Sequence, residues 1–258
     1  SVDVGDVVTV SGTVDERFGM TSIVNPVVSI DAQVEVLPTS ASIDLPVSSL
    51  DDYERYEGML VTFTDTLSVA EYFQLSRFGE VILYEGERPY QYTHDNAPDA
   101  EGVEAYNQSL ALRRIILDDD ANGSNQALFE DLNVFFPTPG LSTGNFFRGG
   151  DTISGLTGVL DYSFSNWRIR PVTQAYNYTF EPTNPRLVEP NEVGGTLRIV
   201  NTNVLNYFTT VDTGDSICGP VENSGCRGAD SALELERQTE KTVSALCAMD
   251  GDIVGVIE

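Results

Sequence analysis

Cations are scarce in this sequence, and lysine is almost absent. Against 40 Asp+Glu there are 14 Lys+Arg; Lys241 is the one lysine and His94 the one histidine. The formal net charge is −26. Neutralising phosphates needs clustered cations, so this balance excludes nucleic-acid binding by a broadly basic surface. No apolar run approaches the ~18–20 residues of a membrane span, which excludes a transmembrane segment in this stretch. Three cysteines in 258 residues are too few for a disulfide scaffold. What is present is enough for real cores: 41% hydrophobic and 9% aromatic residues exclude wholesale disorder. Length suggests one large domain or two small ones, at roughly 100–200 residues each. The acidic excess, with arginine in place of lysine, fits a solvated surface adapted to salty water, where the Debye length falls to about 3 Å at 1 M salt.

Strand signals dominate the first 180 residues. Residues 7–14 read Val-Val-Thr-Val-Ser-Gly-Thr-Val, alternating and β-branched. Stretches 59–64, 80–84, 114–117, 152–160 and 168–172 read alike, separated by Gly, Pro, Asn and Asp clusters, and the spacing predicts a small barrel or sandwich. An internal repeat supports a barrel pattern written twice: Gly5-Asp6, Gly12-Thr-Val-Asp15 and Ile23 return as Gly150-Asp151, Gly158-Val-Leu-Asp161 and Ile169. The first copy reads as the closing hairpin of a module whose earlier strands are absent. Between the copies, 86–149 is rich in Asp, Asn, Gly and Phe and reads as an inserted loop. Three prolines within 181–190 mark an extended linker. Beyond it, 196–203 is a strand candidate. Residues 231–249 form a helix opened by a Ser231-x-x-Glu234 capping box, and the apolar run 252–257 suits a strand buried on both faces. Such a unit cannot close a core by itself, so it reads as the first part of an α/β domain.

Cys218 and Cys226 lie eight apart in a Gly-rich loop and are expected to form a disulfide, which implies an oxidising compartment. Cys247 occupies an apolar helix position and reads as a small buried hydrophobe. The start at Ser1 rather than Met suggests removal of an upstream segment. Glu258 follows the apolar strand, and Asn203 ends the first strand of the same unit. Either Glu258 is a solvent-facing strand end, or the two meet across neighbouring strands as a carboxylate and an amide oxygen suited to Mg²⁺. Asp118-x-Asp120-x-Asn122-Gly123 spells the opening of a calcium loop, or a plain Asp/Asn/Gly turn; the twelfth position is Phe129 where such a loop needs glutamate. His94 reads as a surface residue of the inserted loop. Tyr72, Phe73, Arg77, Phe78, Phe164, Trp167, Arg168 and Arg170 are candidates for an aromatic and basic binding face, half of which must point inward.

Four motifs follow one another in order: Asn203-Val-Leu-Asn-Tyr-Phe208, Arg227-Gly-Ala-Asp-Ser231, Glu236-Arg-Gln-Thr-Glu-Lys241 and Asp252-Ile-Val-Gly-Val-Ile-Glu258. Together they resemble the start of the ExeM-like secreted bacterial endonucleases of the endonuclease/exonuclease/phosphatase superfamily. Glu54-Arg-Tyr-Glu-Gly-Met-Leu-Val61, Phe78-Gly-Glu-Val81 and Gly155-Leu-Thr-Gly-Val-Leu-Asp161 resemble the OB-like domain that precedes the nuclease domain there. The resemblance implies that Asn203 and Glu258 bind a divalent metal, Mg²⁺ or Mn²⁺. It also implies that two histidines and further Asp and Asn residues, absent from this stretch, complete the site. Arg237 and Lys241 belong to the matched motif and read as packing or pairing with Glu234 or Glu240.

The fold class expected is therefore mixed. Residues 1–37 are the closing hairpin of an upstream OB-like module. Residues 38–180 are an OB-like barrel with its inserted loop at 86–149, and 181–193 are the linker. Residues 194–258 begin a deoxyribonuclease-type α/β sandwich, as an incomplete strand–helix–strand unit. The function expected is part of a secreted, Mg²⁺-dependent nuclease acting on extracellular DNA rather than RNA, inactive as this stretch alone. Calcium remains a possible second cofactor at Asp118, Asp120 and Asn122, and Arg77, Trp167, Arg168 and Arg170 are the nominated nucleic-acid contacts. The partners are nucleic acid and the C-terminal remainder of the nuclease domain. The location is extracellular or at the surface of a marine or salt-adapted bacterium. The alternatives are a non-catalytic OB-fold binding or assembly module, or another phosphoesterase of the same superfamily.

Overall fold

Alternation of valine with short polar residues at 7–14 builds the first strand of a long hairpin. The computed structural model describes residues 2–33, 36–121, 136–142, 144–188, 191–192 and 194–257. In it β1 (Asp6–Arg17) pairs antiparallel with β2 (Met20–Gln33). Arg17 and Met20 close the hairpin around Phe18 and Gly19, whose φ angles are 56° and 82°. Two left-handed residues in a two-residue loop are the turn whose twist matches that of paired strands. The chain divides into two units, Ser1–Pro185 and Arg186–Glu258, and the boundary falls inside the proline-rich 181–193 stretch.

The first unit is mainly β. Eight further strands form one sheet: β3 (Ala41–Ile43), β4 (Leu60–Phe63), β5 (Thr66–Glu71), β6 (Val81–Glu85), β7 (Arg114–Leu117), β8 (Thr152–Ser154), β9 (Thr157–Ser163) and β10 (Asn166–Pro171). Their order is β3-β4-β9-β10-β7-β6-β5-β8. Only two residues separate β4 from β5, and two separate β8 from β9, so each couple is one bent strand. These bent strands pair antiparallel along their length, from Leu60 opposite Val159 to Ser68 opposite Thr152. The sheet therefore curls back on itself, which removes the open edges that invite unwanted strand pairing. β10 joins the ring antiparallel to β9 and parallel to β7.

Period-two alternation fills the interior. Val61, Phe63, Leu67, Val69, Val81 and Leu83 are fully buried, and Ile115, Leu117, Leu160 and Ile169 complete the layer from the other side of the ring. Tyr178 fastens the end of the ring: its hydroxyl donates to the Thr157 carbonyl at 2.7 Å and accepts from the Val172 N–H at 2.8 Å.

The 86–149 stretch is not a loop throughout. It contains α2 (Ala100–Leu112), following the single-turn α1 (Leu75–Phe78), and it contains β7, a central strand of the ring. Asp99 caps α2 by accepting from the Glu101 and Gly102 N–H groups, two of the donors that the first turn leaves without a partner in the helix.

The internal repeat is visible in the geometry. Phe164 and Ser165, with φ of 51° and 60°, turn the β9–β10 hairpin as Phe18 and Gly19 turn the first one. A Cβ on Gly12 would come within 2.5 Å of Ile23 Cγ2, and a Cβ on Gly158 within 2.5 Å of Ile169 Cγ2. The same glycine admits the same isoleucine across each hairpin. The first copy remains open where the second is built into the ring: Val14, Val27 and Phe18 are exposed.

In the second unit, β11 (Ile199–Asn203), α3 (Ala232–Met249) and β12 (Ile253–Ile257) form a strand–helix–strand arrangement with the two strands parallel. Ser231 caps α3 by accepting from the Glu234 N–H at 3.2 Å. The Glu234 carboxylate reaches the N–H of Asp230, one residue earlier than the expected capping box requires. Two expectations are corrected here. β12 is exposed along its whole length rather than buried on both faces, because a single strand and a single helix cannot cover both. Cys247 is an exposed free thiol, because α3 has no buried residue at all. Cys218 and Cys226 are disulfide-bonded, with their Cα atoms 5.1 Å apart.

Two outcomes follow from the ring. Gly158→Ala drives its methyl group into Ile169 and the Arg170 carbonyl oxygen. It should cost about 1–3 kcal/mol in urea denaturation. Burial raises the pKa of Tyr53, Tyr84 and Tyr178 above the ordinary 10.0. The folded chain keeps these protons after the unfolded chain has released them, so the contribution of these tyrosines to stability is constant through neutrality and is lost as pH rises beyond about 10. Phenolate absorbance and loss of structure should then rise together in an alkaline titration.

Candidate functional site

Arg168 and Arg170 flank Ile169 on β10, so alternation puts both on one face and the isoleucine on the other. Ile169 enters the core, and the arginines meet carboxylates gathered at one end of the ring. The Arg168 guanidinium, 1% exposed, donates to Glu80 at 2.8 Å, to the Ser163 carbonyl at 2.9 Å and to Asp118. Arg170 bridges Asp118 at 2.5 Å and Asp161 at 3.1 Å. Burial opposes a charged guanidinium, yet the hydrogen bonds to Glu80 and Asp118 outweigh it, and Arg168 holds its proton more tightly than a free arginine.

This network relocates several residues nominated from the sequence. Arg168 is consumed inside the protein, Arg170 is largely enclosed, and Trp167 is buried against Tyr53 and Tyr162 with ring centroids 5.4 and 4.9 Å away. None of the three offers a free cationic or stacking surface. Arg77 is different: it is exposed on α1, its guanidinium 4.9 Å from the centre of the Phe78 ring. Exposed aromatics at Tyr72, Phe73 and Phe164 stand on the connections of the ring.

Two of the nominated calcium ligands lie in the same place. Asp118 is 2% exposed, and its carboxylate is already shared by two guanidinium groups and the Asp120 N–H, the last at 2.8 Å. Asp120 sits at a φ of 64° and lies 3.5 Å from Arg170. That is an Asx turn, the plain alternative, and the arginines would repel a dication. Asn122 lies outside the described residues.

At the other nominated centre, β11 and β12 run parallel with Asn203 opposite Ile257. Asn203 therefore stands at the carboxyl end of its strand, level with the residue before Glu258, which itself lies outside the described residues. The Asn203 amide oxygen accepts from the Leu205 N–H at 2.7 Å. Among the described residues no group of three or more His, Cys, Asp or Glu gathers in a metal-binding cluster. His94 is exposed and stacks on Tyr90 with centroids 4.7 Å apart.

Sequence reasoning did not anticipate the ion-pair network, although the Arg-Ile-Arg triplet on a strand carried its signal. Removing Arg168 leaves Glu80 without its guanidinium and Asp118 with one cation instead of two. Arg168→Met should lower stability by about 3 kcal/mol in urea denaturation, since breaking a buried pair strands a charge.

No curated protein and no solved structure matches the chain. A family model described as a domain of unknown function, DUF8508, matches residues 25–181. The match begins within β2 and takes in the complete ring through β10, stopping short of β11. With more than half of its length inside that match, the chain belongs to the DUF8508 family.

Proposed function

We propose that this chain is part of a secreted, metal-dependent nuclease, with an OB-like barrel placed ahead of the first strand–helix–strand of its catalytic domain. The observation that carries the reading is the parallel register of β11 and β12, which sets Asn203 level with Ile257. In open α/β sheets, ligands gather beyond the carboxyl ends of the strands; Asn203 stands at that edge, and Glu258 is the next residue in sequence after Ile257. An amide oxygen and a carboxylate are hard donors that suit Mg²⁺ or Mn²⁺. A bound ion would supply neutralisation of the charge that builds on a phosphodiester during hydrolysis. Asn203, anchored through the Leu205 N–H, holds its oxygen in a fixed orientation at the strand end. Two ligands do not make a hydrolytic centre, so further residues of the catalytic domain complete it, and this stretch alone does not cleave.

The five-stranded ring, with β4–β5 and β8–β9 each counted as one bent strand, supports the OB-like reading of the barrel. The disulfide is compatible with an extracellular location. Among the described residues no helix is long and apolar enough to cross a membrane. A second reading, a non-catalytic binding or assembly module, is favoured by Tyr72, Phe73 and Phe164, which project from the connections of the ring.

The full-length protein decides between the two. Cleavage of duplex DNA in the presence of Mg²⁺, its loss in EDTA, and at least a hundredfold slower cleavage by Asn203→Ala and Glu258→Gln are expected; a hundredfold is about 2.7 kcal/mol. Undiminished cleavage by both variants would remove Asn203 and Glu258 from the metal site. No Mg²⁺-dependent cleavage at all would leave the binding module as the reading.

A further inference from the structure

The β1–β2 hairpin is amphipathic, and its apolar face lies in water. Alternation puts Val8, Val10 and Val14 on one face of β1, and their partners across the hairpin are Ile30, Val28 and Ile23. The other face of β1 is Thr9, Ser11, Thr13 and Asp15. Val8 is half-buried, and the remaining members of the apolar face are exposed. β1 and β2 form a two-stranded sheet of their own, and an isolated hairpin is marginal in water unless further strands or a helix cover its apolar face.

The second hairpin shows what such a face is built to meet. Counted from Gly12 and Gly158, the turn residues Phe18 and Phe164 stand at matching positions, and so do Ile23 and Ile169. The same alignment sets Val10 against Leu156 and Val14 against Leu160. In the ring Leu156, Leu160 and Ile169 are 1%, 0% and 0% exposed, whereas Val10, Val14 and Ile23 are 37%, 69% and 45% exposed. Positions that the ring buries are thus apolar in the first hairpin too. β9 and β10 are covered because β4 pairs antiparallel with β9 and β7 pairs parallel with β10.

The ring of a second copy does not suit this hairpin. Ser22 and Val24 stand where the second hairpin has Arg168 and Arg170, so exchange into that ring would strand Glu80 and Asp118 without their cations. Chain order points upstream instead, since β9–β10 follows most of the strands that it closes. We propose that β1–β2 closes a preceding ring of the same family in the full-length polypeptide. An antiparallel strand takes the free edge of β1, a parallel strand takes that of β2, and the seam has no counterpart of Glu80 and Asp118. The upstream module expected from the sequence thereby gains a docking face, a strand order and a seam without buried ion pairs. The turn of the hairpin is seated on the ring that follows: the Thr21 N–H donates to the Glu57 carboxylate at 3.0 Å, and a Cβ on Gly19 would come within 2.7 Å of the Tyr162 ring. Neither the second unit nor a metal takes part, which makes this docking independent of the nuclease reading.

Hydrogen exchange of the full-length protein and of the 258-residue chain reads the docking directly. Peptides covering 6–33 should exchange at least about tenfold more slowly in the full-length protein, with those covering 157–171 protected equally in both. Val14→Asp and Ile23→Asp alter exposed side chains of the 258-residue chain and should leave its melting temperature unchanged. In the full-length protein each should abolish the added protection of 6–33 and spare that of 157–171. Ser22→Arg should act likewise, because a guanidinium at that seam finds no carboxylate. Equal exchange of 6–33 in the two chains overturns the proposal, and so does protection that survives both aspartate variants. Protection that builds up in the 258-residue chain as its concentration rises overturns it in favour of a second copy. Deeper protection in Ser22→Arg overturns the seam without counterparts of Glu80 and Asp118.

Discussion

The Arg168 guanidinium, enclosed at the seam between β7 and β10, ties together one end of the ring. Glu80 precedes β6, Asp118 follows β7, Asp161 belongs to β9, and Arg168 and Arg170 belong to β10. Four strands therefore send a charge to the same place. β7 and β10 pair parallel, as β3 and β4 do, and parallel pairing is slightly weaker per residue than antiparallel. The network supplies cross-links where the ladder is weakest. Arginine is the residue able to do this: its planar fork reaches several acceptors at once, and its charge survives burial.

Placing arginines inward has a consequence for the outside. With 13 arginines and one lysine set against 40 carboxylates, each arginine committed to the interior is one cation fewer on the surface, although the carboxylates it pairs with are withdrawn as well. Arg168 and Arg170 are spent at the seam, and Arg113 reaches back to the Glu85 carbonyl and carboxylate. What remains on the barrel is a set of exposed aromatics and scattered charges rather than a cationic track. Electrostatic recruitment of a polyanion by the barrel is thereby weakened. A nuclease built on this plan would draw its affinity for phosphate from the metal site of its second unit, and the barrel would contribute position.

Much of the ring could be read in the sequence because alternation and turn chemistry are local. Residues 7–14, 114–117 and 152–160 carry their period in side chains alone, and the paired glycines at 12 and 158 announced a hairpin written twice. Identity of partners is not local. Trp167, Arg168 and Arg170 look the same on a binding face as in a core until Asp118, fifty residues away, is seen to face them. The same limit applies to Ile253–Ile257: an apolar strand states what it can bury, and only its neighbours decide whether it does so. Asp118 itself was legible as a turn and illegible as a counter-ion, because its Asx turn is closed two residues on while its arginines come from another strand.

The duplicated hairpin separates what a sequence motif specifies from what its surroundings add. Gly12 and Gly158 each let an isoleucine of the partner strand approach within the space of a missing Cβ, and each hairpin turns through two left-handed residues. These shared features are set within the hairpin. The differences lie at positions facing outward from it: Arg168 is paired with Asp161 across the second hairpin, where the first places Ser22 opposite Asp15. One copy thus carries the cation that locks it to β7, and the other does not. The second copy is buried in a closed ring and the first presents its valines to solvent, although both obey the same local grammar. The arginines on β10 and their distant carboxylates are accordingly what the second copy adds to a hairpin that both copies share.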